Sequence, residues 1–425
     1  MRLRTPGGSG DGMKHSPDHP PRPARQQTRT RDEPPRPRRG ARSSQPPTSA
    51  SETPPAAEID KALSLGRVLL EEGDARGALS VWRAAISPDV DAASLPTLLA
   101  CIGDAHAHLG EAEQAVEAYS RAVDLDAGNV AGWIGLGTMR ARAGDLDAAT
   151  LLFKKATELA PRQFDAWNRL GVAYDMLGRH SDALECFARA GQAGPDSWEL
   201  WFHRANACVG LKDFEAAVAA YKKALQVGPE QIRLWYNLAV AFTGAGQPEN
   251  ALGAYRQALA GGGEDPAIWY NLGNLYFDAQ RVAPAIACYQ QSLLLEHDDF
   301  DAWNNMGGCW AQAAELEEAI RCYSRAVEIL PSAAPAWNNL GHIWSRLGNQ
   351  ERALGCFKEA IRLEEEQAAY YLNRALAYAR LGSADEAFSD LEVALRLNPL
   401  LADLLPGLSP LRQFEEDPRF QRLLE

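Results

Sequence analysis

Residues 267–344 read AIWYNLGNLYFDAQRVAPAIACYQQSLLLEHDDFDAWNNMGGCWAQAAELEEAIRCYSRAVEILPSAAPAWNNLGHIW. The segment WYNLGNLY at Trp269 returns as WNNMGGCW at Trp303 and as WNNLGHIW at Trp337. The stretch is therefore self-similar at a step of 34 residues. A fixed period of this length is typical of a chain built from stacked structural repeats.

Two registers of residues follow this step along most of the chain. The tryptophan register consists of Trp133, Trp167, Trp201, Trp235, Trp269, Trp303 and Trp337, flanked by Leu99 and Tyr371. The second register consists of small residues, and an aromatic residue stands four places after each of them in nearly every copy. Its members are Ala149, Ala183, Ala217, Ala251, Ala285, Ala319, Ala353 and Ala387.

The spacing within each copy predicts two short helices. Apolar or small residues stand at Trp167 and 3, 4 and 7 places later, which is one face of a helix at about 100° per residue. Ala183, Phe187 and Ala190 repeat this spacing in the second block. Glycine between the blocks, as at Gly178, predicts the turn that joins the helices.

The pattern resembles the tetratricopeptide repeat family. Its motif W-x2-L-G-x2-Y, then A-x3-F, then P is matched by WNRLGVAY at Trp167, ALECF at Ala183 and Pro195. The resemblance implies an all-α fold, a right-handed superhelical solenoid of about ten helix-turn-helix repeats. Apart from the offset first copy, the repeats keep strict register from Pro96 to Leu401.

The same register predicts four segments. Residues 1–58 are expected to form a disordered tail, because they are rich in proline and arginine and poor in large apolar side chains. Residues 59–95 form an atypical first repeat with a three-residue insertion, and residues 96–401 form nine 34-residue repeats. Residues 402–425 are expected to cover the open face of the last repeat.

Charge divides the chain. The first 57 residues carry eleven Lys and Arg against five Asp and Glu, a net +6, whereas the whole chain carries −13, which leaves −19 on the remainder. An acidic body is expected to repel nucleic acid, so nucleic acid or an anionic membrane would bind only weakly and through the tail, if at all. No apolar stretch has the length of a secretory signal or a membrane span, and we expect a cytoplasmic protein.

No catalytic, metal-binding or cofactor-binding motif was found. The seven cysteines form no CxxC pair, and four of them directly precede the aromatic residue of a second helix, where packing is the simplest role. His106 and His108 lack further ligands nearby in the sequence, and neither GxxxxGK[ST] nor HExxH occurs. We therefore expect no enzyme activity, no cofactor and no small-molecule substrate.

Asparagine recurs on the opposite face of the first helix, two residues after the tryptophan slot, at Asn237, Asn271, Asn305, Asn339 and Asn373. The residues one after the tryptophan slot, from Trp201 to Trp337, are Phe202, Tyr236, Tyr270, Asn304 and Asn338. In tetratricopeptide arrays this face lines a concave groove, and an asparagine ladder is similar to that of the repeat arm of O-linked N-acetylglucosamine transferases. The resemblance implies that these ten residues bind an extended peptide, with Phe202, Tyr236 and Tyr270 as anchors.

A second interpretation of the asparagines is that they cap or bridge neighbouring repeats. For the whole protein, the sequence favours a non-catalytic scaffold whose partners are other proteins with extended or disordered segments. Two alternatives stay open. One is a substrate-recognition or regulatory subunit of a separate enzyme such as a glycosyltransferase, and the other is a tether to nucleic acid or anionic membrane through the basic tail.

Overall fold

The structure is a computed structural model that describes residues 56–86, 90, 92–229, 231–262 and 264–424. The predicted tail, residues 1–58, lies outside the described residues except for its last three positions. The predicted three-residue insertion, between Ser87 and Pro96, is only partly within them.

The described residues form two compact units, one up to residue 213 and one from residue 214. Nine helices belong to the first unit: α1 Ala56–Glu71, α2 Ala75–Ala85, α3 Ser94–His108, α4 Ala112–Leu125, α5 Val130–Arg142, α6 Leu146–Leu159, α7 Phe164–Met176, α8 His180–Ala193 and α9 Trp198–Gly210.

The second unit continues with eleven regular helices and a C-terminal segment. The helices are α10 Phe214–Val227, α11 Ile232–Gly244, α12 Pro248–Ala260, α13 Pro266–Asp278, α14 Val282–Leu295, α15 Phe300–Gln312, α16 Leu316–Ile329, α17 Ala334–Arg346, α18 Gln350–Leu363, α19 Ala368–Arg380 and α20 Ala384–Leu397. The segment consists of two 3-10 helices, Pro399–Gly407 and Ser409–Phe414, and of α21 Pro418–Leu424.

The helices follow the 34-residue step closely. From α5 to α19, every first helix begins three residues before the tryptophan slot and ends nine residues after it. Within each unit, consecutive helices pack against each other as helix-turn-helix pairs, and no strand occurs among the described residues. The predicted all-α repeat fold is confirmed, while the superhelical handedness stays a prediction.

The turn inside each pair requires a left-handed backbone conformation. Gly144, Gly178, Gly246, Gly348 and Gly382, which the sequence marked as turn residues, have φ between 68° and 90°. Glycine adopts this conformation without the steric conflict that a Cβ atom causes. Three copies place another residue at the same step, Lys212, Gln280 or Ala314, with φ near 60°.

The small residue after each tryptophan makes room for an aromatic ring. A Cβ atom on Gly171 would lie 2.5 Å from Cε1 of Phe187, and Gly137, Gly273 and Gly341 face the aromatic ring of their own repeat in the same way. The alanine register is fully buried, as at Ala183 and Ala217. The group nearest to a Cβ atom on these glycines is the aromatic ring four residues beyond the alanine of the same repeat.

The repeated tryptophans are only half-buried and have a second role that the sequence pattern did not indicate. Four of them donate the indole N–H to the carbonyl six residues earlier, which ties those first helices to the turns before them, whereas Trp201 donates to Oδ1 of Asp196. The four bonds are Trp133 to Ala127 at 3.0 Å, Trp167 to Pro161 at 2.9 Å, Trp303 to His297 at 2.8 Å and Trp337 to Pro331 at 2.9 Å.

The C-terminal segment packs on the last helix pair. Leu405, Leu411, Phe414 and Phe420 are buried against α19 and α20. Leu405 lies 34 residues after Tyr371 and so occupies the next tryptophan slot. The chain forms a 3-10 helix there in place of a regular first helix. The Nε2 of Gln413 donates to the carbonyl oxygen of Ala379 at 2.6 Å and fastens this segment to α19.

Candidate functional site

The five repeated asparagines lie one per repeat on the first helices of the second unit. Asn237 is on α11, Asn271 on α13, Asn305 on α15, Asn339 on α17 and Asn373 on α19. Of the residues one after the tryptophan slot, Tyr236, Tyr270, Asn304 and Asn338 are on α11, α13, α15 and α17, whereas Phe202 is on α9 in the first unit. The two registers thus run side by side on successive helices.

The asparagines hydrogen-bond from repeat to repeat. Four of them donate through Nδ2 to the side chain 35 residues earlier, which is the residue after the preceding tryptophan slot. The bonds are Asn271 to the Tyr236 hydroxyl at 2.9 Å, Asn305 to the Tyr270 hydroxyl at 3.1 Å, Asn339 to Oδ1 of Asn304 at 3.3 Å and Asn373 to Oδ1 of Asn338 at 2.8 Å.

A second set of bonds reaches the preceding repeat from the end of the first helix. Arg346 donates through Nη1 to the carbonyl oxygen of Ala311 at 3.1 Å, and Arg380 donates through Nη1 to Oγ of Ser345 at 2.6 Å. Arg142 in the first unit makes the equivalent bond to Ala107 at 3.2 Å. These contacts support the interpretation that polar side chains of this face bridge neighbouring repeats.

The first two asparagines are enclosed. Asn237 is 9% exposed and Asn271 is 1% exposed. Asn274, five residues after Trp269, is buried beside them; its Oδ1 accepts from the Tyr289 hydroxyl at 2.6 Å and from Nδ2 of Asn305 at 3.2 Å. Asn274 lies on the same face as these asparagines, but asparagine does not recur at this position in every repeat, so the 34-residue pattern does not indicate it.

The three aromatic residues proposed as anchors are buried. Tyr236 and Tyr270 are each 2% exposed; their rings pack against Tyr255 and Tyr289 with centroids 6.1 and 6.0 Å apart. Phe202 packs against Trp198 and His203. A ring enclosed in this way cannot anchor a ligand without local opening, so we correct the anchor role: the two tyrosines are hydrogen-bond acceptors between repeats.

The later asparagines are half-buried and keep unused polar atoms. Asn304, Asn305, Asn338, Asn339 and Asn373 all have intermediate exposure. We call these five the asparagine face. An amide side chain has two N–H donors and two acceptor lone pairs, and the bonds between repeats use one donor each on Asn339 and Asn373. Within the described residues, the Oδ1 atoms of these two side chains accept no hydrogen bond.

The edge of the asparagine face is cationic. Arg346 and Arg380 are exposed at the ends of α17 and α19. Partial desolvation lowers the pKa of His342 below its usual 6.5, although the residue is exposed, and the positive charges of Arg346 and Arg380 lower this pKa further. His342 is therefore neutral at pH 7, and the two guanidinium groups carry the positive charge of this edge.

The described residues contain no group of three or more His, Cys, Asp or Glu side chains placed to hold a metal ion. All seven cysteines are buried, and burial raises the thiol pKa of Cys288 and Cys322 to about 12. No helix in this part of the chain combines the length and the apolar character that a membrane span requires.

Solved structures show some similarity to this chain at low sequence identity. A crystal structure of MamA protein is 22% identical over 40% of this chain and 94% of that chain, with a TM-score of 0.38. The APC/C hetero-tetramer Cut9-Hcn1 is 15% identical over 88% of this chain and 85% of that chain, with a TM-score of 0.41. No curated protein matches the chain.

Family models give a direct assignment. Three models, each described as tetratricopeptide repeat, match the sequence. One covers residues 140–202 and 242–308, the second covers 198–241, and the third covers 63–130, 101–163 and 338–402. Together these matches span residues 63–308 and 338–402, well over half of the sequence, and the chain belongs to the tetratricopeptide repeat family.

Proposed function

We propose that this protein is a non-catalytic scaffold that binds extended segments of other proteins on the asparagine face. The observation that carries the proposal is the unused hydrogen-bonding capacity of Asn339 and Asn373, two half-buried amides on successive first helices. Side-chain amides suit the backbone of an extended peptide because they offer an acceptor and a donor together. The bridging bonds hold these amides in a fixed arrangement before a ligand arrives.

Energetics indicate which segments bind. A net hydrogen bond contributes about 0.5 to 1.5 kcal/mol, whereas ordering a peptide residue costs about 1 to 2 kcal/mol. The amides alone therefore cannot hold an unstructured ligand, and the buried tyrosines add no contact area. Hydrogen bonds to charged groups contribute about 1.5 to 3 kcal/mol each, so Arg346 and Arg380 favour a segment with acidic side chains. We expect affinities on the order of micromolar that weaken as salt is added.

The test uses substitutions that keep the bonds between repeats. In the double variant Asn304→Asp and Asn338→Asp, each carboxylate still accepts from Asn339 or Asn373, but two NH2 groups with four N–H donors are lost and two negative charges are added. The matched control is Asn129→Asp with Asn349→Asp. Both residues are helix N-caps that accept a backbone N–H, a role that aspartate fills equally well.

Binding of the full chain to an array of extended acidic and neutral peptides would be measured for both variants. We expect the variant with Asn304→Asp and Asn338→Asp, the face variant, to bind acidic peptides with at least tenfold lower affinity. Its melting temperature should stay close to that of the control. Equal binding by the face variant and the control would place recognition elsewhere. Co-purification of an enzyme whose substrates depend on the same face would favour the alternative of a substrate-recognition subunit.

A further inference from the structure

A cleft of about 480 Å³ lies at the end of the α11–α12 pair that is remote from its turn. It is lined by Gln231, Ile232, Trp235, Gln257, Ala260 and Gly261. The first three belong to the start of α11 or directly precede it, and the others belong to the end of α12 or directly follow it. The cleft therefore lies within the second unit, in a single repeat.

Trp235 departs from the hydrogen bonding of most of its equivalents. The indole N–H groups of Trp133, Trp167, Trp303 and Trp337 each donate to the carbonyl six residues earlier, and that of Trp201 donates to Oδ1 of Asp196. Among the described residues, the indole N–H groups of Trp235 and Trp269 have no acceptor, and the side-chain amides of Gln231 and Gln257 have no hydrogen-bond partner. The lining thus combines three unused polar side chains with the apolar surfaces of Trp235, Ile232 and Ala260.

The local sequence differs at the end of α12. The other second helices from α6 to α20 end at the position equivalent to residue 261, which is a large aliphatic residue in most copies, such as Leu159, Leu295 and Leu363, and is Ala193 in α8. In this repeat the position is Gly261, and α12 ends one residue earlier, at Ala260. The cleft therefore has no side chain at this position.

A tryptophan with a free indole N–H, an aliphatic neighbour and side-chain amides suits a polyproline II segment. Such a segment has no internal hydrogen bonds, so its carbonyl groups are available to donors. Proline rings pack well on aromatic surfaces, and the preformed helix loses little entropy when it binds. The expected ligand is therefore proline-rich, with carbonyls accepting from Trp235 and the glutamines.

The chain itself contains such a segment twice. Residues 20–23 and residues 34–37 both read PPRP, and arginine follows two residues after each copy, at Arg25 and Arg39. Both lie in the basic N-terminal 57 residues, outside the described part of the chain. Glu264 and Asp265 are exposed and follow Gly261 closely in the sequence, so they offer carboxylates near the cleft. The second unit as a whole is acidic, with 17 Lys and Arg against 28 Asp and Glu.

We propose that the Trp235 cleft binds the chain's own PPRP segments in an intramolecular contact. The 33 residues from Pro23 to Ala56 can extend about 110 Å, so the first copy has considerable reach, and the acidic second unit attracts the basic segment. The two copies compete for one cleft. The N-terminal segment thereby acts as an internal ligand of the repeat array at a site separate from the asparagine face.

Hydrogen exchange of the full chain tests the contact. The test variant replaces Pro20, Pro23, Pro34 and Pro37 by alanine, and the control replaces Pro6, Pro17, Pro46 and Pro47. We expect backbone amides of residues 231–238 and 255–262 to exchange at least threefold faster in the test variant and unchanged in the control. Equal exchange in both variants would overturn the proposal, as would a difference that depends on protein concentration, because the segment would then come from a second copy.

Peptide binding tests the role of the indole. A synthetic peptide of residues 18–40 would be titrated into the full-length test variant carrying either Trp235→Phe or Trp337→Phe. Loss of one hydrogen bond predicts about three- to tenfold weaker binding with Trp235→Phe and no change with Trp337→Phe. A peptide of the same charge in which alanine replaces every proline should not bind. If it binds equally well, only charge attraction operates and the proposal fails.

Discussion

At the scale of single residues, two positions reduce the stability of the folded protein although the repeat pattern does not require the residue found there. Ala314 has φ of 64° in the turn between α15 and α16, where most copies have glycine. Asp104 on α3 is a carboxylate whose pKa is raised mainly by burial, although its Oδ1 accepts from the Tyr119 hydroxyl at 2.7 Å. Both costs are local, and a single substitution should relieve each of them.

Replacing Ala314 by glycine should stabilise the second unit by about 0.5 to 1 kcal/mol. A left-handed conformation costs an L-residue about 1 to 2 kcal/mol, and the greater freedom of glycine in the unfolded chain offsets part of the gain. Chemical denaturation measures the difference. Ala313→Gly is the control, since Ala313 has φ of −72° and the substitution should destabilise. Destabilisation by both changes would show that the turn is not strained at Ala314.

Replacing Asp104 by asparagine should stabilise the first unit at pH 7 by up to about 1 kcal/mol. Asparagine still accepts the Tyr119 hydroxyl but has no charge to desolvate. The folded pKa of Asp104 lies above 3.8, so its contribution to stability is fully present below the unfolded pKa and is lost as pH rises through the folded pKa.

The advantage of Asp104→Asn over the natural protein should accordingly shrink as the pH falls towards 3.8. Thermal unfolding between pH 3.5 and 7 measures it. Asp124→Asn removes the same charge from an exposed position on α4 and serves as the control. A stability difference that is constant with pH would mean that the titration of Asp104 does not contribute.

At the scale of elements, an aromatic ring packs against a glycine of the first helix in several helix pairs, as at Gly137, Gly171 and Gly341. In the pair α7–α8, Phe187 is fully buried and approaches Gly171, while its ring also stacks on His203 of α9 with centroids 5.9 Å apart. The aromatic side chain therefore joins its own pair to the next helix. A change at the glycine should affect both contacts.

Gly171→Ala should destabilise α7, α8 and their neighbours by about 1 to 3 kcal/mol, because the added Cβ would lie 2.5 Å from the Phe187 ring. Gly355→Ala is the matched control. It is also a helix-interior glycine, on α18, but a Cβ there meets nothing within 4 Å, and the higher helix propensity of alanine should stabilise by up to about 1 kcal/mol. Opposite signs are expected in denaturant melts, and a shared sign would refute the steric explanation.

At the scale of the whole molecule, stability in a repeat array is carried by neighbouring repeats, so the ends need special protection. The C-terminal segment provides it by burying Leu405 and Phe420 against α19 and α20. The adjacent Leu404 is 58% exposed, whereas Leu405 is 1% exposed. The two leucines form an internal comparison of a buried and an exposed side chain.

Leu405→Ala should cost about 2 to 5 kcal/mol locally, whereas Leu404→Ala should stay within about 0.5 kcal/mol of the natural protein. Hydrogen exchange resolved by segment would measure where the loss occurs. We expect faster exchange in α19, α20 and α21 only. An even increase across all helices would indicate global cooperativity in place of coupling between neighbours.

The sequence by itself determined the repeat, its period, the helix pairs and most of the turns. Each of these depends on local rules: Trp167 and its partners 3, 4 and 7 places later define a helical face, and Gly178 has the φ that the turn demands. Because the same pattern recurs in each repeat, a wrong helix or turn assignment in one repeat would disagree with the others. The family assignment follows from the same residues.

Only the tertiary structure decided which polar side chains remain available. Asn271 and Asn339 hold the same position in the repeat, yet Asn271 is enclosed and bonded to Tyr236, whereas Asn339 is half-exposed. Likewise Trp235 and Trp337 are equivalent in sequence, but only the Trp337 indole N–H has an acceptor among the described residues. The physical reason is that exposure and hydrogen bonding depend on side chains brought close by folding, about 35 residues away in the next repeat or at the far end of a helix pair, and local periodicity carries no information about them.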